Sequence, residues 1–267
     1  MPIADVSTQA LADLISLKGR TAVVTGGAKG LGCAIASRLA EAGAAVLIGD
    51  LDADGARRVA RELTRKDGPD AVATRLDVTD GASVAAAAEL AMTQWGRLDI
   101  WVNNAGIYPL TPVLQMTDED WDRVMNVNLR GTFIGCREAA RRMKSGGVVV
   151  NLASTAGFKG MGPGITHYVA SKHGVRGITR QMALEFAGQG IRVLAVAPTL
   201  IVTEGVESAM SGPAKQAGLD LNQVYNSMLG RPGRPDDVAR VVLFCVSDLA
   251  LFMTGSTLLV DAGEMLR

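Results

Sequence analysis

Histidine and cysteine, the side chains behind most metal sites and all disulfides, are scarce in this chain. There are two histidines, His167 and His173, and three cysteines, Cys33, Cys136 and Cys245. The cysteines are odd in number, widely spaced and form no C-x-x-C pair, which argues against a disulfide framework and against a zinc site. We therefore expect no metal, and a reducing, cytoplasmic environment.

Net charge and long apolar runs are also lacking. Lys+Arg and Asp+Glu both number 27, so the formal net charge is zero. This balance favours neither nucleic acid nor an anionic membrane as a partner. No apolar run approaches the ~20 residues that a membrane span needs. The first residues include Asp5 and Asp13 and no basic stretch ahead of an apolar one, so they do not resemble a secretory signal.

The chain does contain a regular alternation of short apolar runs with longer helical patterns, for instance 34–42 and 84–95. The runs are apolar throughout, which is typical of parallel strands buried on both faces of a sheet. Alternation of this kind predicts an α/β fold with a doubly wound parallel sheet flanked by helices. The predicted strands are Ala22–Val24, Ala45–Ile48, Ala71–Ala73, Ile100–Val102, Val148–Val150, Val193–Val196 and Leu258–Val260.

No Pro/Gly/Ser-rich linker divides the chain, so we predict one domain over residues 18–267, preceded by an N-terminal extension, residues 1–17. In the extension, Ala10–Ile15 has the pattern of a short helix with one apolar face, and a frayed tail is the alternative. Residues 203–229 form a long segment rich in Gly, Met and Ser. A lid or binding segment and a pair of surface helices are both compatible with it.

A glycine-rich turn follows the first predicted strand. Gly26, Gly30 and Gly32 are spaced G-x3-G-x-G and open a helical pattern. Such a turn lets the backbone approach a pyrophosphate, and the helix N-terminus offers N–H groups to it. Asp50 ends the second strand eighteen residues after Gly32, close to where a carboxylate binds ribose hydroxyls. These residues predict a dinucleotide site.

Tyr168 and Lys172 are spaced i and i+4 and therefore lie on one face of a helix. A phenol titrates near pH ~10, so it must become roughly two to three units more acidic to exchange protons at neutral pH. A nearby ammonium favours the phenolate, and Lys172 is placed to supply it. Ser154, at the end of the fifth predicted strand, supplies a hydroxyl nearby.

Together, in this order and at this distance, Thr25–Gly32 and Tyr168–Lys172 resemble the short-chain dehydrogenase/reductase family. The resemblance extends from about Lys18 to the C-terminus. It implies a Rossmann-type sheet, hydride transfer between NAD(H) and an alcohol/carbonyl pair, and assembly as a homodimer or homotetramer through paired long helices. Gly174 and Gly177, just after Lys172, fit such an interface or close packing within the subunit.

The resemblance also implies roles for four catalytic residues. Tyr168 would exchange the proton, and Ser154 would bind the substrate oxygen, with Thr155 as the alternative. Lys172 would acidify the phenol and bind the nicotinamide ribose. Asn128 would hold a water in contact with the lysine, and Asn126 is the alternative if the helix register is shifted by two.

The cofactor contacts implied by the resemblance follow successive strands. Asp77 is expected beside the adenine, Lys29 beside an NADP phosphate if one binds, and Thr203 at the nicotinamide carboxamide. Asn103, at the end of the fourth strand, should tie neighbouring strands together. The expected cofactor-binding residues are Gly26, Lys29, Gly30, Leu31, Gly32, Asp50, Leu51, Asp77, Val78, Asn104, Ala105, Gly106, Tyr168, Lys172, Pro198, Ile201 and Thr203.

The sequence departs from the family pattern in three places. Ser154 lies fourteen residues before Tyr168, about one more than expected, and a loop at 161–164 would absorb the insertion. Thr199 replaces a glycine beside the nicotinamide, so the added Cβ narrows that spot or shifts the backbone. Ala262 stands where a second glycine is common, with no functional consequence expected.

These residues favour an NAD-dependent dehydrogenase of a polyol, sugar or other hydroxy compound. The alternative is an NADPH-dependent 3-oxoacyl-carrier-protein reductase, against which Asp50 and Gln189 argue. A non-catalytic nucleotide-sensing scaffold is a remote alternative, because the full catalytic set is present. We expect His167 at the pocket rim or surface rather than as a base. The possible pocket residues are Tyr108, Phe158, Met161, His167, Glu204, Met210 and Tyr225.

Overall fold

The seven predicted strands form one parallel sheet in a computed structural model that describes residues 3–64, 70–143, 146–203 and 227–266. The strand order is β3-β2-β1-β4-β5-β6-β7, and every neighbouring pair is parallel. The strands are β1 (Thr21–Thr25), β2 (Ala45–Asp50), β3 (Ala71–Arg75), β4 (Ile100–Asn103), β5 (Gly147–Leu152), β6 (Ile191–Pro198) and β7 (Thr257–Val260). The predicted doubly wound, Rossmann-type single domain is confirmed.

Helices connect the strands and cover both faces of the sheet. Because the strand order reverses between β1 and β4, a crevice opens there at the carboxyl ends of the strands, where ligands bind in such sheets. The helices are α1 (Leu11–Ile15), α2 (Gly30–Glu41), α3 (Ala53–Leu63), α4 (Gly81–Trp95), α5 (Asp118–Met125), α6 (Gly131–Arg142), α7 (Thr166–Phe186) and α8 (Pro235–Val246).

The core lies on both faces of the sheet because successive strand residues point to opposite sides. Val24 and Val150 belong to the cluster packed against α2, α3 and α8. Val23 and Val149 belong to the cluster packed against α4, α6 and α7. All four side chains are fully buried. Uninterrupted apolar runs are what such strands require, which is why the sequence identified them.

At the N-terminus the predicted short helix is present as α1, but its apolar face is not buried. Leu11 is 70% exposed and Ile15 is 39% exposed. Burial begins at Leu17, which is fully buried and whose N–H donates to the Ala42 carbonyl. Among the described residues, no helix is long and apolar enough to span a membrane. The segment 204–226, which includes most of the predicted lid, lies outside the described residues.

Of the two glycines proposed for a helix contact, one is explained within the chain. A Cβ at Gly174 would lie 2.8 Å from the methyl groups of Leu129, so glycine there fits close packing inside the subunit. A Cβ at Gly177 would meet no described atom within 4 Å. The three cysteines are free, and no group of three or more His, Cys, Asp or Glu in the described ranges is arranged to hold a metal.

Candidate active site

The glycine-rich turn between β1 and α2 is built so that side chains would not fit. Gly26 and Gly30 have positive φ angles of 65° and 57°, a conformation that costs residues with a Cβ about 1–2 kcal/mol. A Cβ at Gly32 would lie 2.1 Å from the Gly26 carbonyl oxygen and 2.6 Å from the Asn104 amide nitrogen. Leu31 is partly exposed between them. The turn therefore keeps its backbone open to a ligand.

Two side chains clamp this turn to the end of β4. The Asn104 amide donates to the carbonyls of Thr25 and Gly26, both at 2.9 Å. The Thr25 hydroxyl in turn accepts from the N–H groups of Asn104 and Ala105, both at 3.0 Å. Sequence reasoning missed Thr25, because a threonine at a strand end is unremarkable. Its position just before Gly26 was the available signal.

Asp50 lies at the end of β2, directly beside the glycine turn. One carboxylate oxygen accepts from the Ala28 N–H at 3.0 Å and the other from the Asp52 N–H at 3.0 Å. Lys29, which follows Ala28, and Leu51, which follows Asp50, are both exposed. Arg58, on α3, donates to the Ala28 carbonyl at 3.3 Å. A carboxylate and a guanidinium thus bind the two backbone polar groups of one residue, Ala28. No pattern in the sequence pointed to Arg58.

The residues after β3 and β4 complete this side of the crevice. The Asp77 carboxylate accepts from the Thr79 hydroxyl at 2.7 Å and from its N–H at 2.9 Å. These bonds hold the pKa of Asp77 below its usual range. Val78 is buried against Gly131, at the start of α6. Gly106 faces Asn128, whose Oδ1 would lie 3.3 Å from an added Cβ.

The predicted strand tie by Asn103 is present. Its amide donates to the Asn151 side chain on β5 at 2.8 Å, and its Oδ1 accepts from the Trp101 indole at 2.7 Å. Asn151 donates onward to the Thr179 hydroxyl on α7 at 3.0 Å. This buried network joins β4, β5 and α7 just below the crevice.

Beyond β6, the segment from Pro198 to Thr203 crosses toward the glycine turn. The Thr199 N–H donates to the Val260 carbonyl at 3.2 Å. Ile201 is buried and pairs with Gly233 in an isolated parallel bridge. Thr203 reaches the turn, because a Cβ at Gly30 would lie 3.5 Å from the Thr203 methyl carbon. The segment after β6 therefore lies next to the glycine turn.

Ser154, Tyr168 and Lys172 meet at the carboxyl end of β5. The Lys172 ammonium donates to the Leu152 carbonyl at 2.6 Å and lies 5.6 Å from the centre of the Tyr168 ring. The Ser154 hydroxyl lies beside the Tyr168 phenol, where it acts to lower the pKa of that phenol. A hydroxyl, a phenol and an ammonium therefore converge where a substrate oxygen would be bound.

Burial shifts both titrating groups toward their neutral forms. It raises the pKa of Tyr168, against the opposite effect of the Ser154 hydroxyl. It lowers the pKa of Lys172 to about 8. Burial therefore opposes the acidification of the phenol that was expected from the nearby ammonium. The cost of desolvating each charged form is the reason.

Asn128 is buried and lies in a π-helical turn, Asn126–Arg130, between α5 and α6. Its side chain accepts from the Ile107 N–H and donates to the Ile107 carbonyl, both at 2.8 Å. It also donates to the Ser171 hydroxyl at 3.2 Å. Asn126 is exposed, so the alternative register is not the one that faces the crevice. π-Helical turns often mark functional sites.

The arrangement fits a nicotinamide dinucleotide on its own geometry. The glycine turn is a cradle that added Cβ atoms would fill, it opens a long helix, and a carboxylate lies at the end of β2. Helix N-termini attract phosphates, and a strand-end carboxylate accepts bonds from ribose hydroxyls.

Comparison with known proteins agrees with this geometry. The family profile described as enoyl-(acyl carrier protein) reductase matches residues 26–264. D-threitol dehydrogenase of Mycolicibacterium smegmatis is 39% identical over 256 residues, covering 94% of this chain and 95% of the relative. The chain belongs to the short-chain dehydrogenase/reductase family. It is an oxidoreductase that transfers a hydride between a nicotinamide cofactor and an alcohol/carbonyl pair.

Two further relatives of this short-chain dehydrogenase/reductase widen the range of chemistry. 3β-Hydroxysteroid dehydrogenase 1 of Eggerthella lenta is 39% identical over 254 residues, covering 94% of this chain and 95% of the relative. The crystal structure of a proposed NAD(P)-dependent gluconate 5-dehydrogenase from Beutenbergia cavernae holds NADP at low occupancy. It superposes with a TM-score of 0.85 at 35% identity, covering 95% of this chain and 100% of that one.

Within this dehydrogenase, the two candidate hydroxyls after β5 have different surroundings. The Ser154 hydroxyl lowers the pKa of the phenol beside it and accepts from the Ala156 N–H at 3.1 Å. The Thr155 hydroxyl is buried without a hydrogen-bond partner among the described residues. Ser154 is therefore the hydroxyl that faces Tyr168. The stretch between the 3-10 turn Thr155–Gly157 and α7, which contains the predicted site of the extra residue, has no regular secondary structure.

The prediction that His167 lies at the rim or surface is wrong. His167 is fully buried, and its Nδ1 accepts from the Tyr168 N–H at 2.9 Å. The reason is the helix period: His167, Ser171 and Val175 lie at i, i+4 and i+8, and all three are fully buried on one face of α7. Counting that spacing from the buried side of α7 was the signal that could have found it.

Of the other expected pocket residues, three are described by the structure and three are not. The Tyr108 ring meets the Tyr168 ring edge-on, with centres 6.3 Å apart. Phe158 packs under the Arg176 guanidinium, 3.4 Å from the ring centre, and Met161 is 40% exposed. Glu204, Met210 and Tyr225 lie outside the described residues.

The two departures near the C-terminus have a structural account. The Thr199 hydroxyl hydrogen-bonds the carboxylate of Glu264, a buried residue in the last 3-10 turn, Glu264–Leu266. The same carboxylate pairs with Lys159 at 3.4 Å. Ala262 has a φ of 48° and is the one non-glycine residue in the described ranges with a positive φ. Sequence reasoning missed Glu264, because nothing in the pattern pairs it with Thr199.

Proposed function

We propose that this chain is an NAD-preferring dehydrogenase of secondary alcohols in which Tyr168 is the acid/base. The observation that carries the proposal is the convergence of Ser154, Tyr168 and Lys172 at the end of β5. No other group of hydroxyl, phenol and ammonium meets this crevice among the residues described. A polyol, a sugar or another hydroxy compound is the proposed substrate.

The residues act on the substrate oxygen in sequence. Ser154 donates a hydrogen bond to that oxygen and fixes the carbinol carbon toward the crevice. In oxidation, the Tyr168 oxygen takes the hydroxyl proton as the C–H hydride leaves. NAD, when bound, supplies the acceptor for that hydride. A positioned acid/base of this kind contributes about 10²–10⁴ in rate.

Lys172 and Asn128 support the tyrosine. Burial lowers the pKa of Lys172 to about 8. We assign the ammonium form, which favours the phenolate, to the catalytic step. We assign Lys172 to the ribose hydroxyls as well. The Asn128 side chain binds the N–H and the carbonyl of Ile107, the residue before Tyr108. We also assign to Asn128 the binding of a water that connects Lys172 to solvent.

Preference for NAD is assigned to Asp50. Its carboxylate is fixed by two N–H groups beside the glycine turn, at the place where the adenosine ribose would lie. NADP carries a phosphate there, and two like charges repel. Lys29 and Arg58 are nearby cations, but both side chains are exposed, so solvent screens their attraction.

An NADPH-dependent 3-oxoacyl-carrier-protein reductase is the second candidate. The description of the matching family and the NADP in the Beutenbergia cavernae structure favour it. Asp50 argues against NADPH, and Gln189 stands where such reductases commonly have arginine. A non-catalytic nucleotide sensor is a remote third candidate, since it has no need of the complete catalytic set.

We also propose a homodimer or homotetramer, in the cytoplasm. The support is the family resemblance and the exposed Gly177 on α7, whose Cβ position is free of described atoms. An α-helix with such a site can accept a second helix at close range. Light scattering of the purified chain measures the mass directly.

The test of the proposed function is turnover by Tyr168→Phe with both cofactors. The phenylalanine keeps the ring that packs against Tyr108 and removes the oxygen. We expect kcat to fall by about 10²–10⁴, while the Kd for NAD stays within a factor of two. Wild type should use NAD with a higher kcat/KM than NADP. A Phe variant with more than a tenth of wild-type kcat would remove Tyr168 from the chemistry.

A further inference from the structure

The loop after β4 is fixed to the catalytic residues at its start. Asn128 binds both the N–H and the carbonyl of Ile107 at 2.8 Å. The next residue, Tyr108, is 53% exposed, and its ring lies edge-on to the Tyr168 ring. The outer surface of this loop is therefore continuous with the place where the substrate oxygen is bound.

A second loop joins the first at the same mouth. The Thr111 N–H donates to the Gly164 carbonyl at 2.8 Å, which connects the loop after β4 to the stretch between Phe158 and α7. Leu110 is 78% exposed on the first loop, and Met161 is 40% exposed on the second. We name these two loops, residues 107–111 and 158–164, the mouth loops.

The mouth loops carry almost no charge. No residue between Asn104 and Thr117 is Asp, Glu, Lys or Arg, and Lys159 is the one charged residue between 158 and 165. Its ammonium is already paired with the buried Glu264 carboxylate at 3.4 Å. A sugar or polyol pocket needs several polar groups directed at hydroxyls, because each unpaired hydroxyl costs free energy on burial. These loops offer apolar surface instead.

We propose that the mouth loops bind the carbon skeleton of a bulky apolar secondary alcohol or its ketone. The inference rests on the proposed function and narrows its substrate class. Tyr108 contacts the skeleton nearest the reacting carbon, and Leu110 and Met161 contact its far end. Exposed apolar side chains grouped at one place mark binding surfaces more often than chance. The relatives do not decide the matter, because a threitol dehydrogenase and a hydroxysteroid dehydrogenase are both 39% identical to this chain.

The experiment measures kcat/KM for NAD-dependent oxidation of unbranched 2-alkanols from 2-propanol to 2-octanol, with D-threitol as the polyol of the same length as 2-butanol. Burial of each methylene should raise kcat/KM by about two- to fourfold. We expect that rise over at least three added methylenes. D-threitol should be turned over less efficiently than 2-butanol.

Variants then locate the surface. Tyr108→Ser and Leu110→Ser should flatten the dependence on chain length, each by about half. Phe252→Ser is the matched control, because Phe252 is 95% exposed and precedes the edge strand β7, whereas the mouth loops follow the carboxyl ends of the central strands β4 and β5. It should leave the slope unchanged. The slope is a ratio within one variant, so a general loss of activity or of folded protein cancels.

Three results would overturn the proposal, and they differ in what they leave intact. A flat slope with preferred turnover of D-threitol removes the apolar substrate and leaves the dehydrogenase. No turnover of any alcohol with either cofactor removes the dehydrogenase as well. A change of mass by light scattering in Tyr108→Ser or Leu110→Ser, but not in Phe252→Ser, would assign this surface to contact between copies of the chain.

Discussion

Glycine is present at one end of the crevice and replaced at the other. At the cofactor end, Gly26 and Gly30 occupy positive φ angles and Gly32 has backbone atoms where a Cβ would lie. At the end beside β6 and β7, Thr199 and Ala262 stand where the family pattern has glycine. Both ends lie on the same edge of one sheet, yet one has kept every glycine and the other has replaced two.

The difference follows from what surrounds each position. Around Gly32 the nearest atoms are a main-chain carbonyl and an amide that already holds the turn, and neither can move without breaking the turn. Around Thr199 the neighbour is the side chain of Glu264, which gains a hydrogen bond from the added hydroxyl. A glycine whose Cβ position is occupied by backbone atoms therefore cannot be replaced. A glycine whose neighbour is a side chain can be replaced when that side chain changes as well.

The largest effect should come from placing a Cβ at the cofactor end. Gly32→Ala puts a carbon 2.1 Å from the Gly26 carbonyl oxygen, so the turn must shift. We expect the Kd for NAD to rise more than about 100-fold, which corresponds to a loss near 3 kcal/mol. Isothermal titration calorimetry measures it.

The matched control is Gly81→Ala, in the first turn of α4. A Cβ there meets only the Arg137 guanidinium, at 3.8 Å. Cofactor affinity should not change. If Gly32→Ala bound NAD as tightly as this control, the glycine turn would not be where the cofactor phosphates lie.

A smaller effect is expected from charge at the same end. Two unit negative charges ~4–5 Å apart repel by roughly 3–4 kcal/mol at an effective dielectric of ~20, and screening leaves about 2–3 kcal/mol, or ~30–150-fold. Asp50→Asn removes the charge and keeps an oxygen that can accept from the Ala28 N–H. The NAD/NADP ratio of kcat/KM should fall by that factor, chiefly through better use of NADP.

Arg58 makes this second prediction sharper. Its guanidinium binds the carbonyl of Ala28, the residue whose N–H binds Asp50, so it should attract the phosphate once the carboxylate is neutral. In the double variant Asp50→Asn/Arg58→Gln that attraction is lost. The NAD/NADP ratio of kcat/KM should therefore rise part of the way back toward the wild-type value. Equal kcat/KM for both cofactors in the wild type would contradict the role of Asp50 and favour the carrier-protein reductase.

The same contrast explains how far the sequence could be interpreted. Strands, glycine turn and catalytic helix were predictable because each is a local pattern: uninterrupted apolar runs, fixed spacings, and an i, i+4 pair. The contacts that could not be predicted join residues far apart in the chain. Thr199 and Glu264 are 65 residues apart, and only the order of the strands brings them together.

Local geometry also hid some of the site. The resemblance pointed to Asn128, but not to the π-helical turn that carries it or to its two bonds with Ile107. The raised pKa of Tyr168 and the lowered pKa of Lys172 result from burial. The sequence showed that a phenol and an ammonium are close, but not how little water surrounds them.

At the other end of the crevice, Thr199→Val tests the hydrogen bond between the Thr199 hydroxyl and the Glu264 carboxylate. Valine matches the shape of threonine and removes the hydroxyl, so Glu264 keeps only Lys159. Hydrogen bonds to charged groups contribute about 1.5–3 kcal/mol. We expect the free energy of unfolding to fall by about 1.5 kcal/mol in urea denaturation, and Thr199→Ser to restore most of it. A serine variant no better than valine would mean that the methyl, not the hydroxyl, matters.

The smallest effect concerns Ala262, whose φ of 48° is a left-handed conformation. This conformation costs alanine about 1–2 kcal/mol. It costs glycine nothing comparable, but glycine loses more chain entropy on folding, about 0.4–1 kcal/mol. Ala262→Gly should therefore raise the free energy of unfolding by about 0.5–1 kcal/mol, measured in urea. The matched comparison is Ala250→Gly, at a buried position with no positive φ, where only the entropy cost and lost packing remain and stability should fall. If both variants lost stability equally, the turn before Glu264 would hold its alanine without strain, and the two ends of the crevice would differ only in their packing.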